Sequence, residues 1–270
     1  MTIELEMSKR LCLIDGDFIL WKVCPNTVLT ETEVMYGVNN VKTLEETLQG
    51  IDWYVTEKIL KYVNVDGYIG FLGGKGNFRK LLTNSYKEGR SEDRPPFFQE
   101  AKQHLVDKWG FHIVDNIESE DAVGICLTKY PEAIIVRVDH DLDQLEGVHF
   151  NPTNLQWKTI LKDEAIYTFW RSMITGCTSD KVKGIVNNRK GFADKVIGKY
   201  IPDYYNNPLY MNVILKEYIS LYGEYKGIEK FALNYKLLRI LREKEDFIIP
   251  EPSEVIRDSQ TENLDEKLTF

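Results

Sequence analysis

Three acidic residues stand within four positions of this 270-residue chain, at Glu118, Glu120 and Asp121. They follow an apolar run and precede a segment of helical character, which places Glu118 and Asp121 on one face of a first helical turn. Acids are common there because a helix N-terminus favours negative charge. Carboxylates this close also repel one another and raise one another's pKa unless a positive charge lies between them. The cluster is therefore either a solvated helix start or part of a cation site.

Further acids follow short apolar runs that are typical of buried strands. Asp15 ends one run, while Asp139 and Asp141 follow another and would point the same way if that strand continued. In open α/β sheets ligands lie beyond the carboxyl ends of strands, although Asp15-Gly16 is also a common turn sequence. A doubly wound sheet would bring these acids and the 118–121 cluster to one edge, where they require cations. Hard oxygen ligands favour Mg²⁺ or Mn²⁺ over zinc.

A basic stretch lies between two of the predicted strands. Arg79-Lys80 is followed by Tyr86-Lys87-Glu88-Gly89-Arg90 and by Arg94, and Lys87 and Arg90 would share a helix face. Basic side chains with an interleaved aromatic suit single-stranded nucleic acid, because the phosphates are neutralised and a base can stack. A solvated charged face is the alternative. Beside an acidic cluster, such a stretch is typical of two-metal phosphodiester hydrolysis.

Composition narrows the class of protein. Hydrophobic content of 43% and charged content of 28% are ordinary for a globular chain, and the four cysteines form no C-x-x-C pair. No run approaches a membrane span and residues 1–10 do not form a signal peptide, so we expect a cytoplasmic protein without a membrane partner. The net charge of −8 argues mildly against nucleic acid. However, a metal-binding acidic cluster would lower the net charge while a local basic patch still binds phosphate.

The apolar patterns predict alternating strands and helices. Strands are expected at 11–14, 68–72, 133–138 and 148–150, and helices at 18–23, 43–63, 99–109 and 163–175, with helix-like sequence from 190 to 242. This alternation predicts an α/β fold with a mostly parallel central sheet flanked by helices.

Several short motifs occur in a consistent order along residues 11–195. They are Ile14-Asp15-Gly16, Phe78-Arg79, Tyr86-Lys87-Glu88-Gly89-Arg90, Glu118-Ser119-Glu120-Asp121 and Asp139-His140-Asp141-Leu142-Asp143-Gln144-Leu145. Together they resemble the phage and bacterial 5′-3′ exonuclease and flap endonuclease family, relatives of the 5′-nuclease domain of bacterial DNA polymerase I. In that family the last motif begins with Ser-x, where this chain has Arg137-Val138.

The resemblance implies a PIN-like 5′-nuclease fold with a C-terminal helical DNA-binding region. The expected divisions are a catalytic core at 1–175 with a gateway region at 79–109, a helix-turn-helix-like duplex-binding region at 176–245, and an acidic tail at 246–270. The tail is expected to be disordered, with docking on a replication protein as the alternative. The expected setting is the cytoplasm of a phage-infected bacterial cell.

The resemblance also implies residue roles. One or two Mg²⁺ or Mn²⁺ ions would be held by Asp15, Glu118, Glu120, Asp121, Asp139, Asp141 and Asp180. Catalytic cations would be Lys87, Arg90 and Arg79, with Lys87 and Arg90 on the scissile phosphate. Nucleic-acid contacts would come from Tyr86, Lys80, Arg94, Lys181, Lys183, Arg189 and Lys190. The implied reaction is hydrolysis near 5′ ends of DNA, at flaps or nicks, in replication or recombination, with RNA–DNA hybrids as an alternative substrate.

Departures from the family pattern affect the metal sites. Cys177 stands where the family has an Asp, and a thiol is a poor Mg²⁺ ligand, so a second metal should bind more weakly. The Asp that often ends the second strand is replaced by Leu72 or a neighbouring Gly. The glycine pattern at 185–192 is altered, so potassium is not predicted.

Two other functions compete with the nuclease. A haloacid-dehalogenase-like phosphatase would explain 13–19, but it fails at Gly176-Cys177 and leaves the 118–121 cluster unexplained. A nuclease-like protein that binds branched DNA without cutting it would explain why Cys177 and Leu72 stand where the family has acidic residues.

Overall fold

The computed structural model describes residues 10–25, 42–89, 93–185 and 207–243, with backbone alone for 207–210. Predictions for Arg90, Arg189, Lys190 and the tail at 246–270 fall outside these residues.

A mixed sheet of six strands forms the centre of the fold, in the order β3-β2-β1-β4-β5-β6. Neighbouring strands are parallel from β3 to β5, and β6 is antiparallel to β5. The strands are β1 (Leu11–Asp15), β2 (Gly67–Gly73), β3 (His112–Val114), β4 (Ile134–Val136), β5 (Gly147–Asn151) and β6 (Gln156–Ile160). The chain leaves β1 towards β2 on one side and reaches β4 on the other. The carboxyl end of β1 is thus the switch point at which such sheets bind ligands.

The described residues of the two units also form α-helices. They are α1 (Asp17–Val23), α2 (Leu44–Trp53), α3 (Phe78–Leu82), α4 (Phe98–Trp109), α5 (Ser119–Leu127), α6 (Lys162–Thr175), α7 (Asn207–Tyr222) and α8 (Glu224–Leu238). Helix α2 begins at a capping box of Thr43 and Glu46 and continues through a π-helical segment (Tyr54–Leu60) to Val63. The predicted α/β class with a mostly parallel central sheet is confirmed.

The chain divides into two compact units. The first unit comprises Met1–Phe78 and Gly89–Leu161, and its core packs β1, β2 and β4 against α1, α2 and α4 through residues such as Ile14, Leu72 and Val136. These strands are buried on both faces, which explains why their sequences are continuous apolar runs. Among the described residues, no helix combines the length and apolar character needed to span a bilayer.

The second unit comprises Arg79–Glu88 and Lys162–Phe270. Its core is aromatic, with Phe169 and Trp170 of α6 packed against Phe231 and Tyr235 of α8. A two-stranded ribbon joins Gly176–Cys177 to Val182–Lys183. The packing therefore places α6 and residues 79–88 with the C-terminal helices, whereas the sequence prediction put its boundary after residue 175.

Two local predictions are wrong. Tyr86 to Gly89 form turns rather than a helix, because Lys87 (φ 54°) and Gly89 (φ 73°) adopt left-handed conformations that a right-handed helix cannot contain. The strand predicted at 133–138 ends at Val136, and a 3₁₀ turn begins at Asp141. Asp139 and Asp141 therefore do not lie on one face of a continued strand.

Candidate active site

Asp15 occupies the end of the central strand. Its side chain is 3% exposed, and the next residue must be glycine because a Cβ at Gly16 would lie 2.7 Å from the Phe71 carbonyl oxygen. Burial is the largest cause that raises the pKa of Asp15, and the charges of Asp17 and Asp139 act in the same direction, bringing it to about 7. Asp15 thus lies near two other carboxylates of the first unit.

Ser119 connects Asp15 to Asp17. Its Oγ lies 2.7 Å from Asp15 Oδ1 and 3.2 Å from Asp17 Oδ2. A hydroxyl carries one hydrogen and can donate it to only one of these oxygens. The other contact brings the hydroxyl oxygen close to a carboxylate oxygen, which favours a proton on that carboxyl group.

Asp17 also approaches the end of β2. The backbone N–H of Gly73 donates to Asp17 Oδ1 (3.1 Å) and Oδ2 (3.2 Å), and a Cβ at Gly73 would lie 2.8 Å from Asp17 Oδ2. Burial raises the pKa of Asp17, although the Gly73 N–H and the charge of Lys102 oppose this. The Asp17 carboxylate thus fills the space that a side chain at Gly73 would need. Strand β2 is also the strand that lacks the Asp with which the resembling family often ends it. No role was predicted from the sequence for Asp17 or Ser119, although Ser119 lies inside one of the quoted motifs and Asp17 directly follows another.

The 118–121 cluster forms the start of α5. Glu118 is the N-cap, its side chain accepts from the Asp121 N–H, and Asp121 accepts from the Glu118 N–H at 3.1 Å. Glu118 also accepts from Asn77 Nδ2 at 2.9 Å. Asp121 is 1% exposed, whereas Glu120 is partly exposed. Because the charge of Glu118 contributes to the raised pKa of Asp17, this carboxylate also belongs near the β1 acids. The cluster therefore caps α5 and also places a carboxylate near Asp17.

The loop after β4 supplies two more of the predicted acids. Asp139 Oδ1 accepts from the Asp141 N–H at 2.9 Å, which folds the loop into a tight turn. Asp139 is exposed and Asp141 is partly exposed.

The first unit therefore gathers hard oxygen donors at the switch point of its sheet. Buried acids with raised pKa values lack sufficient positive charge, which a divalent cation would supply. The residues present fit Mg²⁺ or Mn²⁺, whose preferred ligands are carboxylate oxygens.

Within the second unit, Asp180 is the centre of another predicted group. Tyr86 donates its hydroxyl hydrogen to Asp180 Oδ2 at 3.1 Å, the Lys87 N–H donates to the Asp180 carbonyl at 2.9 Å, and Lys87 Nζ lies 3.7 Å from Asp180 Oδ1. Tyr86 is 3% exposed and packs in the aromatic core of the second unit. Cys177 Sγ lies 3.0 Å from Ser179 Oγ.

The remaining predicted cations differ in exposure. Arg79 is buried, where its Nε donates to the Leu237 carbonyl and its terminal nitrogen to the Arg239 carbonyl, which favours a structural role. Exposed cations are Lys80, Arg94, Lys181 and Lys183. The Arg94 guanidinium lies 5.1 Å from the ring centre of Trp21, which is 45% exposed.

Comparison with known proteins identifies relatives in structure only. No protein-family model matches the chain, and no curated protein does. A variant of the T5 5′-exonuclease matches with a TM-score of 0.52 and 11% identity, over 85% of this chain and 95% of its own. The T5 5′-exonuclease with zinc bound matches with a TM-score of 0.52 and 14% identity, over 93% of this chain and 98% of its own.

A further match is the bacteriophage T5 flap endonuclease in a pseudo-enzyme–product complex with DNA and metal ions. Its TM-score is 0.51 at 12% identity, over 93% of this chain and 100% of its own. At identities this low, the structural matches establish the fold alone. The chain has the fold of the phage 5′-exonucleases and flap endonucleases, in agreement with the resemblance seen in its sequence motifs.

Proposed function

We propose that this protein is a divalent-metal-dependent 5′ nuclease that hydrolyses phosphodiester bonds near the 5′ ends of DNA, at flaps or nicks, in replication or recombination. The observation that carries the proposal is the buried Asp15 carboxylate at the end of the central strand, which shares the Ser119 hydroxyl with Asp17. Such an arrangement is costly unless a cation binds. The fold shared with phage 5′-exonucleases supports the same conclusion.

The acids of the first unit divide into two groups by exposure and contacts. The proposed cation ligands, direct or through water, are Asp15, Asp17, Glu118, Glu120, Asp139 and Asp141. Asp121 is buried against the Glu118 N–H and is proposed to orient Glu118 rather than to bind the cation itself. A bound divalent cation stabilises the charge that develops on the attacking and leaving oxygens of phosphodiester hydrolysis.

Lys87 is proposed to bind the scissile phosphate and to stabilise its growing negative charge. Its backbone is fixed by the left-handed turn and by the hydrogen bond from its N–H to the Asp180 carbonyl. Its ammonium group, 3.7 Å from Asp180 Oδ1, makes a loose ion pair that a phosphate can replace. Asp180 remains a proposed ligand for a weaker second cation.

Trp21 and Arg94 are proposed to bind a single-stranded segment. The indole is half exposed and the guanidinium stacks on it, a combination that suits a base and its phosphate. Lys80, Lys181 and Lys183 are proposed as further phosphate contacts because all three are exposed.

Cleavage of labelled DNA tests this proposal. Flap, nicked and RNA–DNA hybrid substrates, labelled at the 5′ or the 3′ end, are incubated with and without Mg²⁺. We expect Mg²⁺-dependent products from the 5′ end, and rates lower by at least about 10²-fold for Asp141→Asn and Lys87→Ala. Glu132→Gln and Lys216→Ala, at exposed positions, are the matched controls and should cleave as the wild type does.

Two outcomes would contradict the proposal. Binding of flap DNA without product in Mg²⁺ or Mn²⁺ would indicate a binding protein, and hydrolysis of a small phosphate ester but not of DNA would indicate a phosphatase. Enhanced cleavage by Cys177→Asp would instead agree with the proposal and show that the second cation limits the rate.

A further inference from the structure

Arg137 is a buried cation directly after β4, and no role was predicted for it from the sequence. It is 4% exposed and stands where the resembling family has a serine. Its Nε donates to His149 Nδ1 at 3.2 Å, and one terminal nitrogen donates to the Asp139 carbonyl at 2.9 Å. The other terminal nitrogen forms an ion pair with Asp143. One guanidinium group thus contacts both ends of the loop that carries Asp139 and Asp141.

His149 fixes the direction of this guanidinium group. An arginine can only donate, so His149 Nδ1 must be the acceptor, and its Nε2 carries the hydrogen that is donated to the Leu145 carbonyl at 2.9 Å. Burial and the charge of Arg137 lower the pKa of His149 to about 4, which is consistent with a neutral ring. His149 lies within β5, so the guanidinium is anchored to the sheet rather than to the loop.

The contacts of Arg137 distinguish Asp143 from the acids at positions 139 and 141. Asp143 pairs with Arg137 and accepts from Lys158 Nζ at 3.0 Å, so two cations neutralise its charge. Asp139 contacts Arg137 through its backbone carbonyl, and its carboxylate accepts from the Asp141 N–H at 2.9 Å. Arg137 therefore separates one carboxylate of the motif from the two that are proposed to bind a cation.

We propose that Arg137 is a positioning residue, whose fork-shaped contacts with Asp139 and Asp143 hold the 139–141 loop in the geometry that binds the divalent cation. The inference rests on the proposed function. An ammonium group at this position would keep the charge, but its three donors share one nitrogen and cannot reproduce the spacing with which Nε and the two terminal nitrogens reach His149, Asp139 and Asp143.

The test uses the full-length protein and Arg137→Lys, with Arg137→Met and Asp143→Asn as further variants. Mn²⁺ affinity is measured by calorimetric titration, stability by urea unfolding, and kcat and KM on a 5′ flap. We expect Arg137→Lys to remain folded and to lose about 10–100-fold in Mn²⁺ affinity, the usual effect of removing a residue that orients metal ligands. We expect kcat to fall more than KM rises, because the DNA contacts are unchanged. Asp143→Asn should shift affinity in the same direction by less.

Lys158→Ala is the matched control, since it removes the other cation at Asp143 and leaves the Arg137 fork intact. A folded Arg137→Lys variant with wild-type Mn²⁺ affinity and wild-type kcat would overturn the inference and leave the nuclease proposal standing. If the wild type cleaves no nucleic acid but Arg137→Lys still loses Mn²⁺ affinity, the proposed function fails and the inference survives. A wild type that binds no Mn²⁺ would overturn both. If Arg137→Met does not fold, Arg137→Lys and Asp143→Asn decide the matter.

Discussion

Asp15 carries an electrostatic cost in the metal-free protein. Its pKa is raised from 3.8 to about 7, mainly by burial. A carboxyl group with a raised pKa in the folded state stabilises the fold most when it is protonated there, so its contribution is lost as pH rises through about 7. At pH 8 the group is ionised in both states, and the buried charge opposes folding.

Replacement of Asp15 by Asn removes this charge. At pH 8 we expect metal-free Asp15→Asn to be more stable than the metal-free wild type, by about 2 kcal/mol or more, since each unit of pKa shift corresponds to about 1.4 kcal/mol. The advantage should shrink towards pH 5, where the wild-type carboxyl is protonated in the fold. Urea unfolding at both pH values measures the effect. Saturating Mg²⁺ should reverse the order at pH 8, and a difference that does not change with pH would contradict this account.

The acids of the site were predictable from sequence only in part. Asp15, Asp139 and Asp141 follow apolar runs, so strand patterning alone placed them at an edge. Asp17 and Ser119 gain their roles from contacts across 56 and 102 positions of the chain, to Gly73 and to one another. Periodicity carries no information about such contacts, and the same holds for Arg137.

At the level of elements, α7 and α8 pack closely at one glycine. A Cβ at Gly227 would lie 2.6 Å from Ile219 Cα, a backbone atom that cannot move aside without shifting α7. We expect Gly227→Val to destabilise the second unit by about 3 kcal/mol, because overpacking against backbone adds to the helix cost of a β-branched residue. Lys226→Val, at the exposed neighbouring position, should cost less than about 1 kcal/mol. Equal losses in urea unfolding would show that the helices can separate freely.

Elements with strong patterns were predicted well. The helix expected at 43–63 has a capping box and a continuous apolar face, and the structure has helix from Leu44 to Val63. Strand β6 was missed because four of its five residues are exposed, so it has no apolar alternation. The turn at Lys87 was mistaken for helix because charge spacing says nothing about the sign of φ. The limits of β4 were set by the fixed loop at Arg137 rather than by the apolar run.

At the scale of the whole molecule, the net charge of −8 opposes the binding of negatively charged DNA. Binding must therefore depend on a few local cations, and each phosphate contact adds about one unit to the slope of log affinity against log salt concentration. We expect a shallow slope for flap DNA measured by fluorescence anisotropy in Ca²⁺, and a slope lower by about one for Lys87→Ala. Lys216→Ala should keep the wild-type slope. An unchanged slope for Lys87→Ala would place the phosphate elsewhere.

The Asp15-Gly16 sequence is prone to succinimide formation, which the fold opposes. Aspartyl-glycyl sequences age by ring closure to a succinimide, in which the glycine nitrogen attacks the preceding carboxyl group, and reopening yields an isoaspartyl linkage that lengthens the backbone. Here that nitrogen donates to the Phe71 carbonyl at 2.8 Å and Gly16 is held at φ −86° and ψ −17°. Ring closure therefore requires local opening of β1 from β2, so chemical ageing of this linkage depends on how often the centre of the sheet opens.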